Sequence, residues 1–261
     1  MLGAPIAHSR SPELHRAAYE VLGLDWEYDR REVRSGELAD FFAGLDASWL
    51  GLSLTMPLKR EVLPLLDSVD DLAALTGAAN TVLFRGGKHG FNTDIGGIEA
   101  AFAERGVPQL ETALILGGGA TASSVLVALA HSGVSRATIA ARSPEKSASL
   151  AELGARVGVQ VALTRLGDEA AAADILVSTL PGEAPLPDLP AFAPSAALLD
   201  VAYDPWPSRL ADGWTGPIVN GLDMLLHQAL LQIRIFVGGS PAEPLPREEA
   251  VLRAMRAAVG G

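Results

Sequence analysis

The pattern of apolar and polar positions changes character near residue 95 of the chain. Before this point, short alternating stretches predict strands and helical periodicity predicts helices. The predicted strands are Asp25–Asp29 and Trp49–Leu54, and the predicted helices are Ser11–Leu22 and Leu38–Ala43. Ser11 and Pro12 favour the start of the first helix, because serine suits the N-cap and proline suits the first helical position.

Beyond residue 95, apolar runs alternate with helical patterns, as in a series of βαβ units. The predicted strands are Ala113–Leu116, Ala137–Ala141, Val159–Leu163, Ile175–Val177 and Ala197–Asp200. The predicted helices are Ile95–Arg105, Ala122–His131, Gly221 to about Val237, and Arg247 to about Val259. The proline-rich stretch Pro181–Pro194 interrupts the series as a surface loop. This alternation predicts an α/β fold with a parallel sheet.

Composition agrees with such a fold and excludes several kinds of site. Of the 261 residues, 49% are hydrophobic and only 5% are aromatic, so aliphatic side chains must fill the interior. The absence of cysteine excludes disulfides and thiolate metal sites, and the five histidines lack metal-binding spacing, so we expect no metal. The net charge of -11 argues against nucleic acid as a partner.

No signal peptide is visible, and no apolar run reaches the roughly 20 residues that a membrane helix needs. We therefore expect no membrane segment and a cytoplasmic location.

A glycine-rich loop follows the first strand of the second half. Gly117, Gly118, Gly119, Ala120, Thr121 and Ala122 give the pattern Gly-x-Gly-x-x-Ala between a predicted strand and a predicted helix. In this context the first glycine permits a tight turn, and the second lets the backbone approach a pyrophosphate at the helix N-terminus. The pattern predicts a dinucleotide site, although it also fits a plain tight turn.

The end of the next strand indicates which dinucleotide is bound. NAD-binding folds usually place an acidic residue there to accept from the ribose hydroxyl, whereas this chain has Arg142 and Ser143, with Lys146 one turn on. An arginine suits a 2′-phosphate, so NADP is the expected cofactor. The alternative is an exposed arginine at a helix start.

Three short polar segments supply candidate chemistry in the first half: Thr55–Lys59, Gly77–Thr81 and Asn92–Asp94. Lys59 should lie close to the C-terminal end of a strand, where partial loss of solvent can lower a lysine pKa and allow proton exchange near neutral pH. Taken alone, Lys59 also fits a solvated lysine, Asp94 an N-cap, and Asn80 a turn residue. Ser9 and Ser11 fit helix capping.

These segments and two further motifs resemble the shikimate dehydrogenase family. The family's opening signature matches Gly3–Pro12, and its late Gly-x-x-Met-Leu-x-x-Gln element matches Gly221–Gln228. With the three polar segments between them, five motifs occur in order, so the resemblance spans nearly the whole chain.

The resemblance implies a fold of two domains with an active-site cleft between them. Residues 1–94 with 222–261 would form an α/β substrate domain, and residues 95–221 an NADP-binding Rossmann domain. The substrate would be shikimate or 3-dehydroshikimate, and the protein a monomer or homodimer. The reaction would be the reversible, NADP-dependent reduction of 3-dehydroshikimate to shikimate in aromatic amino acid biosynthesis.

The resemblance also assigns roles to individual residues. Lys59 would donate the proton in reduction and accept it in oxidation, and Asp94 would orient the lysine and the adjacent hydroxyl. Ser9 and Ser11 would bind the substrate carboxylate, with Tyr203 close to it. The residues implied for the ring hydroxyls are Thr55, Asn80, Asp94 and Gln228. Gly221 would lie near the nicotinamide.

The chain departs from the family pattern in four places. Ser53 replaces an asparagine near the ring hydroxyls, so we expect a shorter contact that a water can complete. Ala141 replaces an asparagine before Arg142, and Ala120 and Thr121 stand where glycines are usual. Met1 and Leu2 leave little room for the family's first strand, so we expect the chain to start late.

Two other functions fit the same sequence. One is an NAD-dependent quinate/shikimate or aminoshikimate dehydrogenase, which assays with each substrate and cofactor distinguish. The other is a non-catalytic sensor that binds shikimate-like ligands. The presence of both Lys59 and Asp94 weighs against the sensor.

Overall fold

Two sheets of different construction organise the chain, one in each of two compact units. The computed structural model describes residues 1–260. The first unit comprises Met1–Thr93 and the chain from Leu225 onward, and the second comprises Asp94–Met224. Each unit has its own apolar core.

The first unit is built on a four-stranded mixed sheet with the order β3-β5-β6-β4. β3 and β6 each pair with β5 in antiparallel fashion, and β4 pairs with β6 in parallel. Two further short strands, β1 and β2, pair in parallel. The strands are β1 (Leu2–Gly3), β2 (Arg31–Glu32), β3 (Gly51–Ser53), β4 (Ser68–Val69), β5 (Thr81–Phe84) and β6 (Lys88–Phe91).

Helices cover this sheet and bury its aliphatic side chains. They are α1 (Ser11–Leu22), α2 (Leu38–Ala43), α3 (Leu58–Glu61), α4 (Asp71–Thr76) and α9 (Glu248–Ala258), with a short 3-10 turn at Leu63–Leu65. A long helix, α8 (Gly221–Gly238), begins in the second unit and enters the first at Leu225. The core includes Leu2, Leu52, Leu54, Leu58 and Val82, all at most 2% exposed.

Several predictions for the first unit are wrong in detail. Asp25–Asp29 is irregular and not a strand: its alternation reflects the burial of Tyr28 and the half-burial of Trp26, and no strand pairs with it. The strand predicted at Trp49–Leu54 is confined to β3. The short elements β4, α4, β5 and β6 were not predicted. Met1 and Leu2 leave enough chain for Leu2–Gly3 to pair as β1.

The start of α1 also differs from its prediction. The helix begins at Ser11, the residue before it is Arg10, and no side chain caps its first amides. Ser11 is therefore the first helical residue, not the cap. Its hydroxyl is left for another use.

The second unit is a six-stranded, fully parallel sheet with the order β12-β11-β10-β7-β8-β9. Its strands are β7 (Thr112–Leu116), β8 (Arg136–Ala141), β9 (Gln160–Arg165), β10 (Ile175–Ser178), β11 (Ala197–Asp200) and β12 (Ile218–Asn220). Read from β7, the chain fills one half of the sheet and then the other, which is the doubly wound order of Rossmann folds. The predicted α/β class and Rossmann-type sheet are confirmed.

In the second unit one helix precedes β7, and two more connect β7 to β8 and β8 to β9. They are α5 (Asp94–Arg105), α6 (Ala120–His131) and α7 (Ala148–Arg156), with a 3-10 turn at Pro144–Ser147. β10 and β11 are buried at every residue, as expected for central strands covered on both faces. α6 starts two residues before its predicted start, and β12 was not predicted. Within residues 1–260, no helix combines the length and the hydrophobicity needed to span a membrane.

Candidate active site

Asn80 is the centre of a buried hydrogen-bond network in the first unit. Its Oδ1 accepts from the Thr93 amide at 2.9 Å and from the Thr81 hydroxyl at 2.8 Å. Its Nδ2 donates to Thr93 Oγ1 at 2.9 Å and to Gln228 Oε1 at 3.3 Å. Asn80 is only 2% exposed, so the chain holds its amide in one orientation.

Gln232 joins this network, and the sequence did not point to it. It is one turn beyond Gln228 on α8, and both glutamines are buried. Its Nε2 donates to the Asn80 carbonyl at 3.2 Å, and its Oε1 accepts from the Ser53 hydroxyl at 2.7 Å. The structure therefore brings together the candidate residues Ser53, Asn80 and Gln228, and adds Gln232. The i, i+4 spacing of the two glutamines was the available signal.

Lys59 lies beside the same network, on the short helix α3. It is 8% exposed, and its carbonyl accepts from the Ala79 amide at 2.8 Å, which ties α3 to the residue preceding Asn80. Thr55 lies at the beginning of this turn, where its carbonyl accepts from the Leu58 amide at 2.8 Å. The predicted position of Lys59 beyond the end of a strand is observed.

Ser9 and Ser11 are adjacent and buried at the start of α1. The Ser9 hydroxyl accepts from the Ser11 amide at 3.4 Å, and the Ser9 carbonyl accepts from Arg30 Nη1 at 2.8 Å. The Ser11 hydroxyl is enclosed, and no described residue is hydrogen-bonded to it. A buried hydroxyl without a protein partner is costly unless a ligand or water completes it.

Asp94 is the first residue of α5, in the second unit, and it is 3% exposed. The helix predicted at Ile95–Arg105 thus starts one residue earlier, with Asp94 as its first residue and not, as in the alternative interpretation, its N-cap. The preceding segment is held by Asn92, whose Nδ2 donates to Thr76 Oγ1 at 2.9 Å.

The glycine loop connects β7 to α6, and its three glycines differ in the space that surrounds them. Gly117 has φ of 105°, and a Cβ there would overlap the Thr179 hydroxyl beyond β10. A Cβ on Gly118 would overlap Ser147, whereas one on Gly119 would meet nothing within 4 Å. The first two glycines are therefore required by the fold, and Gly119 leaves open space for a ligand.

No side chain caps the start of α6, where Ala120, Thr121 and Ala122 form the first turn. The unbonded amides and the helix dipole at this end favour a negatively charged group. The loop follows β7, which lies between β8 and β10. From β7 the chain first continues to β8 and β9 on one side and later to β10, β11 and β12 on the other, so the strand order reverses at this place. Doubly wound folds bind their ligands at such a switch point.

Arg142, Ser143 and Lys146 follow β8, the strand beside β7. Arg142 and Lys146 are exposed and Ser143 is half-buried. Because parallel neighbouring strands end at the same edge, these residues lie at the same edge as the glycine loop. Both candidate segments for cofactor binding therefore lie at the same edge of the parallel sheet.

Two further candidate residues, Gly221 and Tyr203, lie in the second unit. A Cβ on Gly221 would overlap the Val201 carbonyl, so only glycine lets α8 start against the segment that carries Tyr203. Tyr203 is half-buried. Asp200, at the end of β11, is the acceptor for the Ala202 amide at 3.1 Å. Burial raises the pKa of Asp200, and hydrogen bonds from Ser208, Ala202 and Ser178 oppose the rise.

Histidine and acidic side chains are scattered over the part of the chain that the structure describes. Among residues 1–260, no group of three or more of them could hold a metal ion. The candidate sites consist of hydroxyls, amides, one buried lysine, the buried carboxylate of Asp94 and exposed cations.

Comparison with known proteins gives a consistent result over the whole chain. Residues 1–82 match the family described as "Shikimate dehydrogenase substrate binding domain", and residues 101–188 match "Shikimate / quinate 5-dehydrogenase". The shikimate dehydrogenase (NADP(+)) of Moorella thermoacetica is 35% identical, covering 100% of this chain and 94% of that protein.

Solved structures agree. The shikimate dehydrogenase of Mycobacterium tuberculosis is 41% identical, with a TM-score of 0.80 and coverage of 98% of this chain and 97% of that one. The shikimate 5-dehydrogenase of Thermus thermophilus, solved with NADP(H) and shikimate, is 32% identical, with a TM-score of 0.80 and the same coverage. The chain therefore belongs to the shikimate dehydrogenase family.

Proposed function

We propose that this protein catalyses the reversible, NADP-dependent reduction of 3-dehydroshikimate to shikimate. This is the step of the shikimate pathway, leading to aromatic amino acids, that its relatives are named for. The protein is thus an oxidoreductase that acts on a CH–OH group.

The observation that carries the proposal is the buried network around Asn80 beside Lys59. Neutral amides and hydroxyls both donate and accept, which is what recognition of a ring with several hydroxyl groups requires. Here they converge from β3, the turn before β5, and α8, and the backbone of α3 joins them through Ala79. A site for an apolar or polyanionic ligand has no use for such a set.

The proposal assigns a role to each of the individual residues. The enclosed hydroxyl of Ser11, with that of Ser9, binds the substrate carboxylate, and Tyr203 contributes to the same group. Thr55, Asn80 and Gln228 hydrogen-bond the ring hydroxyls, and Ser53 assists them through Gln232 or directly. The groups that bind the substrate carboxylate are neutral hydroxyls and not cations. They orient the carboxylate through hydrogen bonds, and no added positive charge is needed in this acidic protein.

Lys59 is the proposed acid and base. In reduction its ammonium gives a proton to the carbonyl oxygen as that oxygen becomes a hydroxyl, and in oxidation the neutral amine takes the proton back. Asp94 orients the ammonium and the neighbouring hydroxyl.

NADP, when bound, supplies the hydride in reduction and accepts it in oxidation. The residues fit this cofactor. Gly119 would let the pyrophosphate reach the amides of α6, and Arg142 with Ser143 and Lys146 would bind the 2′-phosphate. Gly221 would lie beside the nicotinamide. The proposal requires the ring carbon and the nicotinamide to meet when both are bound.

The test is an assay of wild-type protein that follows reduced cofactor, with shikimate and quinate each offered with NADP+ and NAD+. Turnover is expected with shikimate and NADP+ at the highest kcat/KM. Preference for NAD+ or for quinate supports the alternative dehydrogenases, and tight shikimate binding without turnover supports a sensor. Cytoplasmic location and a monomeric or homodimeric state are parts of the proposal that fractionation and light scattering test.

A further inference from the structure

Three enclosed polar atoms of the first unit have no hydrogen-bond partner among residues 1–260. They are Ser11 Oγ, His15 Nε2 and the Tyr28 hydroxyl, and no other described side chain has such an atom. An unpaired buried polar group costs free energy, so three on neighbouring residues need a common explanation.

Contacts between these residues show that they form one cluster. Ser11 and His15 are one turn apart on α1, and His15 Nδ1 is 2.9 Å from the Ser11 carbonyl oxygen. The His15 ring stacks on Tyr28 with centroids 3.8 Å apart and planes inclined by 14°. The Ser53 hydroxyl lies near the Tyr28 phenol and lowers its pKa against the rise that burial causes, but it does not reach hydrogen-bond geometry.

The hydrogen bond at Nδ1 defines what the cluster can bind. A carbonyl oxygen only accepts, so Nδ1 carries the proton, and Nε2 is left as an acceptor. Burial lowers the pKa of His15 to about 3, so the ring stays neutral at neutral pH. Nε2 therefore needs an O–H or N–H donor and repels a carboxylate. The two hydroxyls can both donate and accept.

We propose that Ser11, His15 and Tyr28 form a subsite for one hydroxyl-type oxygen, which donates to His15 Nε2 and accepts from the Tyr28 hydroxyl. The two rings are stacked with centroids 3.8 Å apart, so a single oxygen bound between their polar ends would satisfy both atoms. Ser11 links the subsite to the proposed carboxylate site. The oxygen belongs either to an ordered water or to a hydroxyl of the substrate, and the second source rests on the proposed function.

The change in Tm caused by one substitution distinguishes a water from a substrate hydroxyl. Tyr28→Phe removes the hydroxyl and keeps the ring stack. If a water bonds to that hydroxyl in the ligand-free protein, the variant loses a satisfied bond, and its Tm falls by about 2–4 °C while KM for shikimate stays within about twofold. If the substrate supplies the oxygen, the free protein loses only an unpaired group, so Tm stays or rises while KM increases about 5- to 15-fold.

Tyr19→Phe is the matched control. Tyr19 is also buried on α1 and contacts His15 edge-on at 6.0 Å, but its hydroxyl is not one of the enclosed, unpartnered atoms. The same chemical change there is expected to leave KM unchanged and to shift Tm by no more than about 1 °C.

A double-mutant cycle tests whether one oxygen is shared. His15→Phe keeps the stack and removes both ring nitrogens, so after this change Tyr28→Phe should have less than half of its single-variant effect on Tm or KM. Additive effects, or a Tyr28→Phe variant with neither a lower Tm nor a higher KM, overturn the subsite. The Tm measurements use ligand-free protein, so they decide the water source even if wild-type protein does not turn over shikimate.

Discussion

The guanidinium of Arg105 and the carboxylate of Asp223 form a two-point ion pair, with Nε 2.9 Å from Oδ2 and Nη2 2.7 Å from Oδ1. Asp223 is buried and also accepts from the Asn220 amide at 3.2 Å, while its own amide donates to Asn220 Oδ1 at 2.9 Å. The last turn of α5 thereby fixes the first turn of α8, where Gly221 lies.

Removal of Arg105 should therefore destabilise the protein. Arg105→Ala leaves a buried carboxylate without its cation, and because the arginine is partly exposed we expect a loss of about 1–2 kcal/mol, with Arg105→Lys between it and wild type. Urea unfolding measures the loss. Arg136→Ala is the control, since its pair with Glu111 is exposed on both sides and should contribute less than about 0.5 kcal/mol. Equal losses at the two positions would contradict the assigned role.

Lys59→Ala should reduce kcat by at least about 100-fold with little change in KM for shikimate, because general acid–base catalysis contributes on the order of 10²–10⁴. Arg60→Ala, at the exposed neighbouring position, should retain activity close to wild type. Steady-state kinetics compare the two variants. A Lys59→Ala enzyme with more than about a tenth of wild-type turnover shows that another group transfers the proton.

Arg142→Ala should raise KM for NADP+ about 10- to 100-fold and leave that for NAD+ nearly unchanged, because a charge-assisted bond to the 2′-phosphate contributes roughly 1.5–3 kcal/mol. Lys146→Ala should have the same sign and a smaller effect. Arg136→Ala again serves as control, since Arg136 begins the strand β8 that ends just before Arg142. Equal losses with both cofactors would indicate a structural role for Arg142.

Ser53 and Gln232 should act as a unit. Ser53→Ala leaves Gln232 Oε1 buried without its donor, so we expect KM for shikimate to rise several-fold, and the same change made in a Gln232→Ala background to have little further effect. Ser53→Asn should keep activity within about tenfold, because the longer amide can still donate. If Ser53→Ala leaves KM unaltered, Ser53 has no part in substrate binding.

His15 should make the folded state sensitive to acid. Its pKa is about 3 in the folded protein, because burial disfavours the charged ring more strongly than the hydrogen bond to the Ser11 carbonyl favours it, while the unfolded chain keeps a value near 6.5. Between pH 6.5 and pH 3 the histidine is protonated in the unfolded chain but neutral in the folded protein. The free energy of unfolding therefore falls as pH decreases through this range, by at most about 1.4 kcal/mol per pH unit. Denaturant titrations at pH 6 and about pH 4.5 should show a smaller difference for His15→Phe than for wild type. An unchanged difference would mean that other groups dominate.

The two units differ in how well the sequence predicts them. Central strands such as β10 and β11 are buried on both faces, so continuous apolar runs reveal them directly. In the first unit, β6 has the sequence Lys88-His89-Gly90-Phe91, which shows no strand pattern and pairs only because β5 and β4 flank it. There, pairing partners decide the structure more than local preference does.

A similar contrast applies to the site. Lys59 and the glycine loop could be predicted because each depends on a short local pattern. The roles of Gln232 and of the Ser11, His15 and Tyr28 cluster could not. Gln232 meets Ser53 across 179 residues, and the cluster is defined by atoms that lack protein partners, which only a folded structure shows.

The open space at Gly119 makes this position suitable for substitution by larger residues. Its two glycine neighbours are confined by Thr179 and Ser147, so variation there should mostly yield misfolded protein. A library confined to position 119 should instead give folded proteins whose affinity for the dinucleotide falls as the introduced side chain grows. Such a series offers a graded way to uncouple the cofactor from the substrate while the rest of the molecule stays the same.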